Sequence, residues 1–83
     1  MSYQLVVAAS QQLFEIKELW LSSRLRNIIS LRDRENIDGK FQILENYVNR
    51  GNLSQETLEF FLTSLSIVSN LIYEHYYSFG IRF

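Results

Sequence analysis

The chain is limited most clearly by the residue types that it lacks. Its 83 residues include no cysteine and no proline, and only three of them are glycine. Without cysteine there is no disulfide framework, no thiolate ligand for zinc and no thiol nucleophile. Without proline, and with so few glycines, little interrupts a long helix. These absences exclude a disulfide-rich scaffold and favour an all-α chain.

The chain also has no large excess of either charge sign and no long apolar run. Eight basic and nine acidic side chains give a net charge of −1, so no overall field draws the chain to nucleic acid or membrane. The uncharged stretch 60–73 contains serine, threonine and asparagine and is shorter than the roughly 20 residues of a membrane span. The first nine residues lack the features of a signal peptide. We therefore expect one cytoplasmic domain, residues 1–83, with no membrane span.

No sequence pattern indicates catalysis, a cofactor or a metal. None of the serines lies in a G-x-S-x-G turn, and there is no glycine-rich loop that would hold a phosphate. The one histidine, His75, lies beside Glu74, and neighbouring residues on a helix project about 100° apart. A metal site would need several more ligands than this pair provides. We therefore expect a protein that is not an enzyme and that binds no cofactor or metal.

Hydrophobic periodicity predicts three helices. A long helix is expected over Ser2–Glu35, a short connecting helix over Lys40–Arg50 and a second long helix from Ser54 to about Gly80. The turn-forming residues of 36–39 and 50–54 are expected to separate them. Within these separators, one aspartate, Asp38, is placed to cap the short helix. The predicted fold class is an all-α, antiparallel helical bundle.

Each predicted long helix carries two apolar stripes, whereas packing against a single neighbour requires one. The core face of the second long helix comprises Leu58, Phe61, Leu62, Leu65, Val68, Ile72, Tyr76 and Phe79. Phe60, Ile67 and Leu71 form its second stripe on nearly the opposite side. The first helix has one stripe of Leu5, Ala9, Leu13, Ile16, Trp20 and Leu31, and another of Val7, Phe14, Leu21, Leu25, Ile28 and Ile29. Periodicity does not decide which of these two stripes is core.

The lengths of the two long helices also differ. At 1.5 Å per residue, a straight first helix would span about 50 Å against about 37 Å for its partner, which leaves Leu5–Ala9 uncovered. A kink near Ser10 or at Ser22-Ser23 would remove this overhang and let four shorter helices close a self-contained bundle. From the double stripes and this overhang together, we expect oligomerisation to complete the bundle, with a homodimer or a higher species as the predicted state.

The surplus apolar surface favours a protein-interaction module, namely a regulator, adaptor or chaperone that dimerises or docks a partner helix. The predicted partner interface comprises Leu5, Val6, Phe60, Ile67, Leu71 and Tyr77. Apolar side chains would supply the affinity in the middle of this interface. Charged side chains at its rim, namely Arg24, Arg32 and Glu35, would set the specificity.

Two other functions remain open. Four arginines fall within eleven residues: Arg24, Arg26, Arg32 and Arg34. With Asp33 as the one acid among them, they give this segment a charge of +3, which is the basis for a nucleic-acid-associated regulator that contacts phosphates. Against this, a helix scatters them around its circumference, and Arg32 and Arg34 would complement the negative end of a helix that ends at Glu35. The other possibility is a purely structural module within an assembly.

Overall fold

The computed structural model describes residues 3–51 and 54–80 and places most of them in four helices. Helix α1 spans Tyr3–Ser22, α2 spans Leu25–Ile28, α3 spans Leu31–Asn49 and α4 spans Gln55–Ser78. The predicted all-α class is confirmed. The positions of the helix boundaries differ from the prediction in the first half of the chain and agree with it in the second half.

The predicted continuous helix over Ser2–Glu35 is wrong, because the chain leaves the helix after Ser22. Both the hydroxyl and the backbone N–H of Ser23 donate to the carbonyl of Trp20, at 2.8 and 3.2 Å. Serine side chains that bond to nearby backbone compete with the continuation of a helix. α1 runs unbroken through Ser10, so the break falls at Ser22-Ser23, the second of the two alternatives. Ser2 itself lies outside the described residues.

A second break at Ile29 and Ser30 separates α2 from α3. Ser30 is extended, and its hydroxyl accepts a hydrogen bond from the backbone N–H of Asp33 at 3.2 Å. This S-x-x-D spacing is a capping signature, and hydrophobic periodicity does not reveal it. Arg32 and Arg34 consequently lie in the first turn of α3, near its positive end. Their predicted role at the negative end of a helix is wrong.

The predicted separator at residues 36–39 is also wrong, because α3 runs straight through it. Asp38 is an interior residue of the helix and not a cap, and the predicted short helix is the second half of α3. Ile37 and Phe41, four residues apart on one face, are both buried. Their burial contributes about 1.5–3 kcal/mol each, whereas the interior Gly39 costs about 1 kcal/mol. Tertiary packing therefore outweighs the local turn signal.

Helices α3 and α4 form an antiparallel hairpin. Gly51 has a φ of 63°, the left-handed value that ends α3. The hydroxyl of Ser54 accepts a hydrogen bond from a first-turn backbone N–H of α4 at 3.4 Å. Beside the connection, the rings of Tyr47 and Phe60 have centroids 5.7 Å apart. The predicted boundaries at Gly51 and Ser54 are confirmed, as is Gly80 after α4, where φ is 68°.

Helix α1 packs antiparallel to α3 and parallel to α4. Trp20, near the end of α1, bonds to Asp38 in the first half of α3, while Lys17, one turn earlier, pairs with Glu45 two turns further along. This reversed order shows the antiparallel direction. Since α4 is also antiparallel to α3, α1 and α4 run the same way.

A single apolar core lies between the helices. Its buried residues are Ala9, Leu13, Trp20, Leu25, Ile29, Ile37, Phe41, Leu44, Leu58, Phe61, Leu65, Val68, Ile72 and Tyr76. The stripe of α1 that contains Trp20 is therefore the core stripe. The predicted core face of α4 is confirmed except at Leu62 and Phe79, which are exposed because they lie at the edge and the end of the stripe. Leu5 and Leu31, expected at the ends of the first-helix stripe, are also exposed, and Leu31 now begins α3.

Asp38 joins the three helices that meet at the break. One of its carboxylate oxygens accepts a hydrogen bond from the indole Nε1 of Trp20 at 2.7 Å, and the other accepts one from Nη2 of Arg26 at 2.8 Å. Trp20 is fully buried. Leaving such a buried donor without an acceptor costs about 1–3 kcal/mol. The carboxylate therefore holds α1, α2 and α3 together where the backbone is not helical.

We expect Gly39→Ala to raise the free energy of unfolding by about 0.5–1 kcal/mol, measured by urea denaturation. An added Cβ at this helix-interior position would meet no atom within 4 Å. The control is Gly51→Ala, which has equal space but a φ of 63° that strains any other residue, so that variant should be less stable. Equal destabilisation by both substitutions would contradict the continuity of α3.

Candidate functional site

An exposed apolar groove runs between α3 and α4. Ile43 from α3 is 55% exposed, and Phe60 and Ile67 from α4 are 53% and 50% exposed. The groove encloses about 170 Å³, and buried Leu44 and Val68 form part of its floor. We call this surface the α3/α4 face and define it by Lys40, Ile43, Tyr47, Phe60, Ser64 and Ile67.

The two sides of the α3/α4 face are held in a fixed register by aromatic contact. The rings of Tyr47 and Phe60 meet at an interplanar angle of 56°, a tilted geometry that aromatic pairs favour. Ser64, one turn beyond Phe60, is small and half-buried, so it leaves a recess before Ile67. Lys40 is the one charged residue lining this groove. The result is an apolar recess flanked by larger side chains and a single cation.

Charged side chains stand at the end of the face next to the hairpin connection. Arg50 borders a second depression together with Ile43 and Tyr47. Glu56 lies one turn before Phe60 on α4. Both Arg50 and Glu56 are exposed. The apolar centre of the face is therefore bordered by a cation on α3 and an anion on α4.

The structure brings together part of the predicted partner interface. Phe60 and Ile67 line the same groove. Leu71, one turn beyond Ile67, is half-buried and lies outside the groove lining. Tyr77 is 85% exposed but lies ten residues beyond Ile67, also outside the lining. The second apolar stripe of α4 therefore contributes to the α3/α4 face only through its first half, at Phe60 and Ile67.

The α1 members of the predicted interface lie elsewhere. Leu5 is 56% exposed on α1, and the groove between α3 and α4 does not include it. Val6 is half-buried and packs against the core. Conversely, sequence reasoning missed Ile43, which lies four residues before Tyr47 and on the same side of α3. Ile43 and Tyr47 form a second apolar stripe on a segment for which the sequence pattern predicts only one.

The four arginines are dispersed over separate structural elements. Arg26 is bonded to Asp38, and its Nε atom is buried without a partner. Arg24 precedes α2 and is exposed, while Arg32 and Arg34 lie in the first turn of α3, exposed and half-buried respectively. Phosphate contact by this segment remains a hypothesis.

A further groove, of about 350 Å³, lies between α1 and α3. Phe14 and Leu21 on its α1 side are 64% and 46% exposed. The ion pair between Lys17 and Glu45 joins its two sides. An apolar partner would have to desolvate this pair in order to fill the groove, which carries a free-energy cost. Among the described residues, no ion pair crosses the α3/α4 face, which is therefore the better candidate for apolar docking.

Within the described ranges, 3–51 and 54–80, neither a metal site nor a membrane-spanning helix is present. No group of three or more histidine, aspartate or glutamate residues there is arranged to hold a metal ion. None of the described helices is both long and apolar enough to cross a membrane. Comparisons with protein families, with curated proteins and with solved structures found no match. Function is therefore inferred from the geometry and charge of the chain itself.

Two adjacent phenylalanines test the division between core and face. Phe61 is fully buried, so Phe61→Ala should lower the free energy of unfolding by about 3–5 kcal/mol. Phe60 is half-exposed and is held by its contact with Tyr47, so Phe60→Ala should cost at most about 1 kcal/mol. Urea denaturation of protein dilute enough to be monomeric measures both values. Similar losses for the two variants would place Phe60 in the core and remove it from the face.

Proposed function

We propose that this chain is a small, non-enzymatic protein-interaction module, a regulator, adaptor or chaperone, that docks an apolar helical surface onto its α3/α4 face. The observation that supports this most directly is the side-by-side exposure of Ile43, Phe60 and Ile67 outside a closed core. The fold does not need these three side chains for its own interior.

These three side chains are exposed although the core of the single chain is complete without them. The largest core side chains, including Trp20, Phe41 and Phe61, are fully buried within the single chain. Contiguous apolar patches on soluble proteins are often functional. Fully burying a large apolar side chain contributes about 1.5–3 kcal/mol, so covering three half-exposed ones would contribute a few kcal/mol. A partner that covers the face therefore gains affinity without rearranging the core.

The shape of the face suits a helical partner. Phe60, Ser64 and Ile67 are spaced by four and three residues along one side of α4, and Ile43 stands opposite on α3. The small Ser64 leaves a recess that an apolar side chain of a partner helix would fill. Partner residues at i, i+3 or i+4, and i+7 would match this spacing. The proposed mode of binding is therefore helix-in-groove docking.

The nucleic-acid alternative receives less support from the geometry. Phosphate recognition is strongest where several cations line one surface. Arg26 is engaged by Asp38 and Arg34 is half-buried, which leaves Arg24 and Arg32 exposed on different segments. A protein partner at the α3/α4 face uses surface that is otherwise unexplained, and it is the function that we favour.

Affinity capture from an extract of the source organism, with the tagged full chain as bait, tests this proposal. The wild type is expected to retain a protein that Phe60→Glu loses, because docking would remove the carboxylate beside the recess from water. Phe14→Glu is the matched control, since Phe14 is at least as exposed as Phe60 but lies on α1, outside the face. Mass spectrometry then shows whether the retained protein is another copy of the chain or a different protein.

Circular dichroism should show the same helicity in both variants. Retention that survives Phe60→Glu but is lost in Phe14→Glu would contradict the proposed site and point to the α1/α3 groove instead.

A further inference from the structure

We propose that the occupant of the α3/α4 face is the same face of a second copy, related by a two-fold axis that runs parallel to the helices. This rests on the proposed function and names its partner. The charges at the two ends of the face, together with its apolar centre, support the inference.

Beyond each end of the face, α3 carries an arginine and α4 carries a glutamate. Arg32 and Arg50 are eighteen residues apart, and so are Glu56 and Glu74. Eighteen residues make five turns of an α-helix, so the two members of each pair lie on one side of their helix. All four side chains are exposed. The two helices therefore carry charge pairs of opposite sign and equal spacing.

The contact between Tyr47 and Phe60 is a reference point from which the positions of these charged residues along the two helices can be compared. Arg50 and Glu56 lie three and four residues from this ring pair, toward the connection. Arg32 and Glu74 lie fifteen and fourteen residues from it in the other direction, which is about 21–23 Å along the helices. The face thus has a basic edge on α3 and an acidic edge on α4. At each end, the arginine and the glutamate lie at nearly the same height along the helices.

A two-fold axis parallel to the helices places α3 of each copy on α4 of the other. Every neighbouring pair of helices in the resulting four-helix arrangement is then antiparallel, as in a common class of bundle. Arg50 meets the partner's Glu56, and Arg32 meets the partner's Glu74. Because of the symmetry, each of these contacts occurs twice. The apolar residues of both faces meet between them.

The other face-to-face arrangement brings like charges together. An axis perpendicular to the helices would place α3 on α3 and α4 on α4, with each pair antiparallel. Arg32 would then lie against the partner's Arg50, and Glu56 against the partner's Glu74. Like charges placed opposite one another across an interface disfavour that association. The charge pattern therefore selects the parallel axis.

Sedimentation equilibrium of the full chain at micromolar concentration tests the inference. We expect the wild type to be a dimer. Arg50→Glu places two carboxylates at each of two equivalent contacts, so its dissociation constant should rise about tenfold. Glu56→Arg places two cations there and should have a similar effect. Both effects should diminish at high salt, because the contacts are exposed.

The decisive sample is an equimolar mixture of these two variants. Each intermolecular contact in a mixed dimer joins opposite charges, so the mixture should regain wild-type affinity as a heterodimer. Within each variant, residues 50 and 56 carry like charges, so contacts inside one chain cannot produce this rescue. Arg24→Glu and Glu15→Arg are the controls, because they change the net charge equally on exposed residues outside the face. They should leave the dimer unchanged.

A monomeric wild-type chain would overturn the inference. Tighter association of Arg50→Glu alone would overturn the parallel axis, because in the perpendicular arrangement the new carboxylate would meet Arg32. An unchanged affinity in both variants would overturn it as well. If the chain is monomeric and yet loses a different captured protein on Phe60→Glu, the inference fails while the proposed function stands. If nothing is retained in a Phe60-dependent manner, the proposed function fails too.

Discussion

The bonds to the carboxylate of Asp38 are the interaction on which the rest of this structure depends. The chain leaves the helix twice within eight residues, after Ser22 and again at Ile29. Across these breaks, Asp38 accepts from the buried indole of Trp20 and from Arg26, and so ties α1 and α2 to the interior of α3. Without this acceptor, the buried indole N–H would have no hydrogen-bond partner, next to a segment where the backbone forms no continuous helix. The carboxylate therefore stabilises a closed bundle in a region where hydrophobic periodicity predicts one long helix.

Closing the bundle decides which apolar surface remains exposed. With α1 folded back along α3 and α4, the stripe that contains Trp20 becomes core and the opposite side of the hairpin stays uncovered. The uncovered side consists of Ile43, Phe60 and Ile67, and their floor is the core itself. The function proposed for this chain follows from that arrangement, since a rigid hairpin presents an apolar recess between one basic and one acidic edge. The core and the proposed docking face are thus on opposite sides of the same pair of helices.

The parts of the fold that depend on local chemistry and clear periodicity were predictable from the sequence. Ser54 and Gly51 bound the hairpin connection as expected, and the division of α4 into a core face and a spare stripe with Phe60 and Ile67 agrees with the observed burial. The first half of the chain was harder, because the hydroxyl of Ser23 bonding to Trp20 ends a helix whose apolar pattern continues. In α3 the opposite occurred, since burial of neighbouring apolar residues carries the helix through Gly39. Ile43 was missed for a different reason, namely that it lies on a second apolar stripe of a segment for which only one stripe was predicted.

The central claim is that the chain associates through the α3/α4 face, and methyl NMR of isoleucine-labelled wild-type protein over a dilution series tests it most directly. The δ1 methyl signals of Ile43 and Ile67 should shift with concentration, because both are half-exposed on that face. Ile28 is equally exposed but belongs to α2, and its signal should stay constant. Shifts at Ile28 with constant signals at Ile43 and Ile67, or constant signals at all three, would contradict the claim.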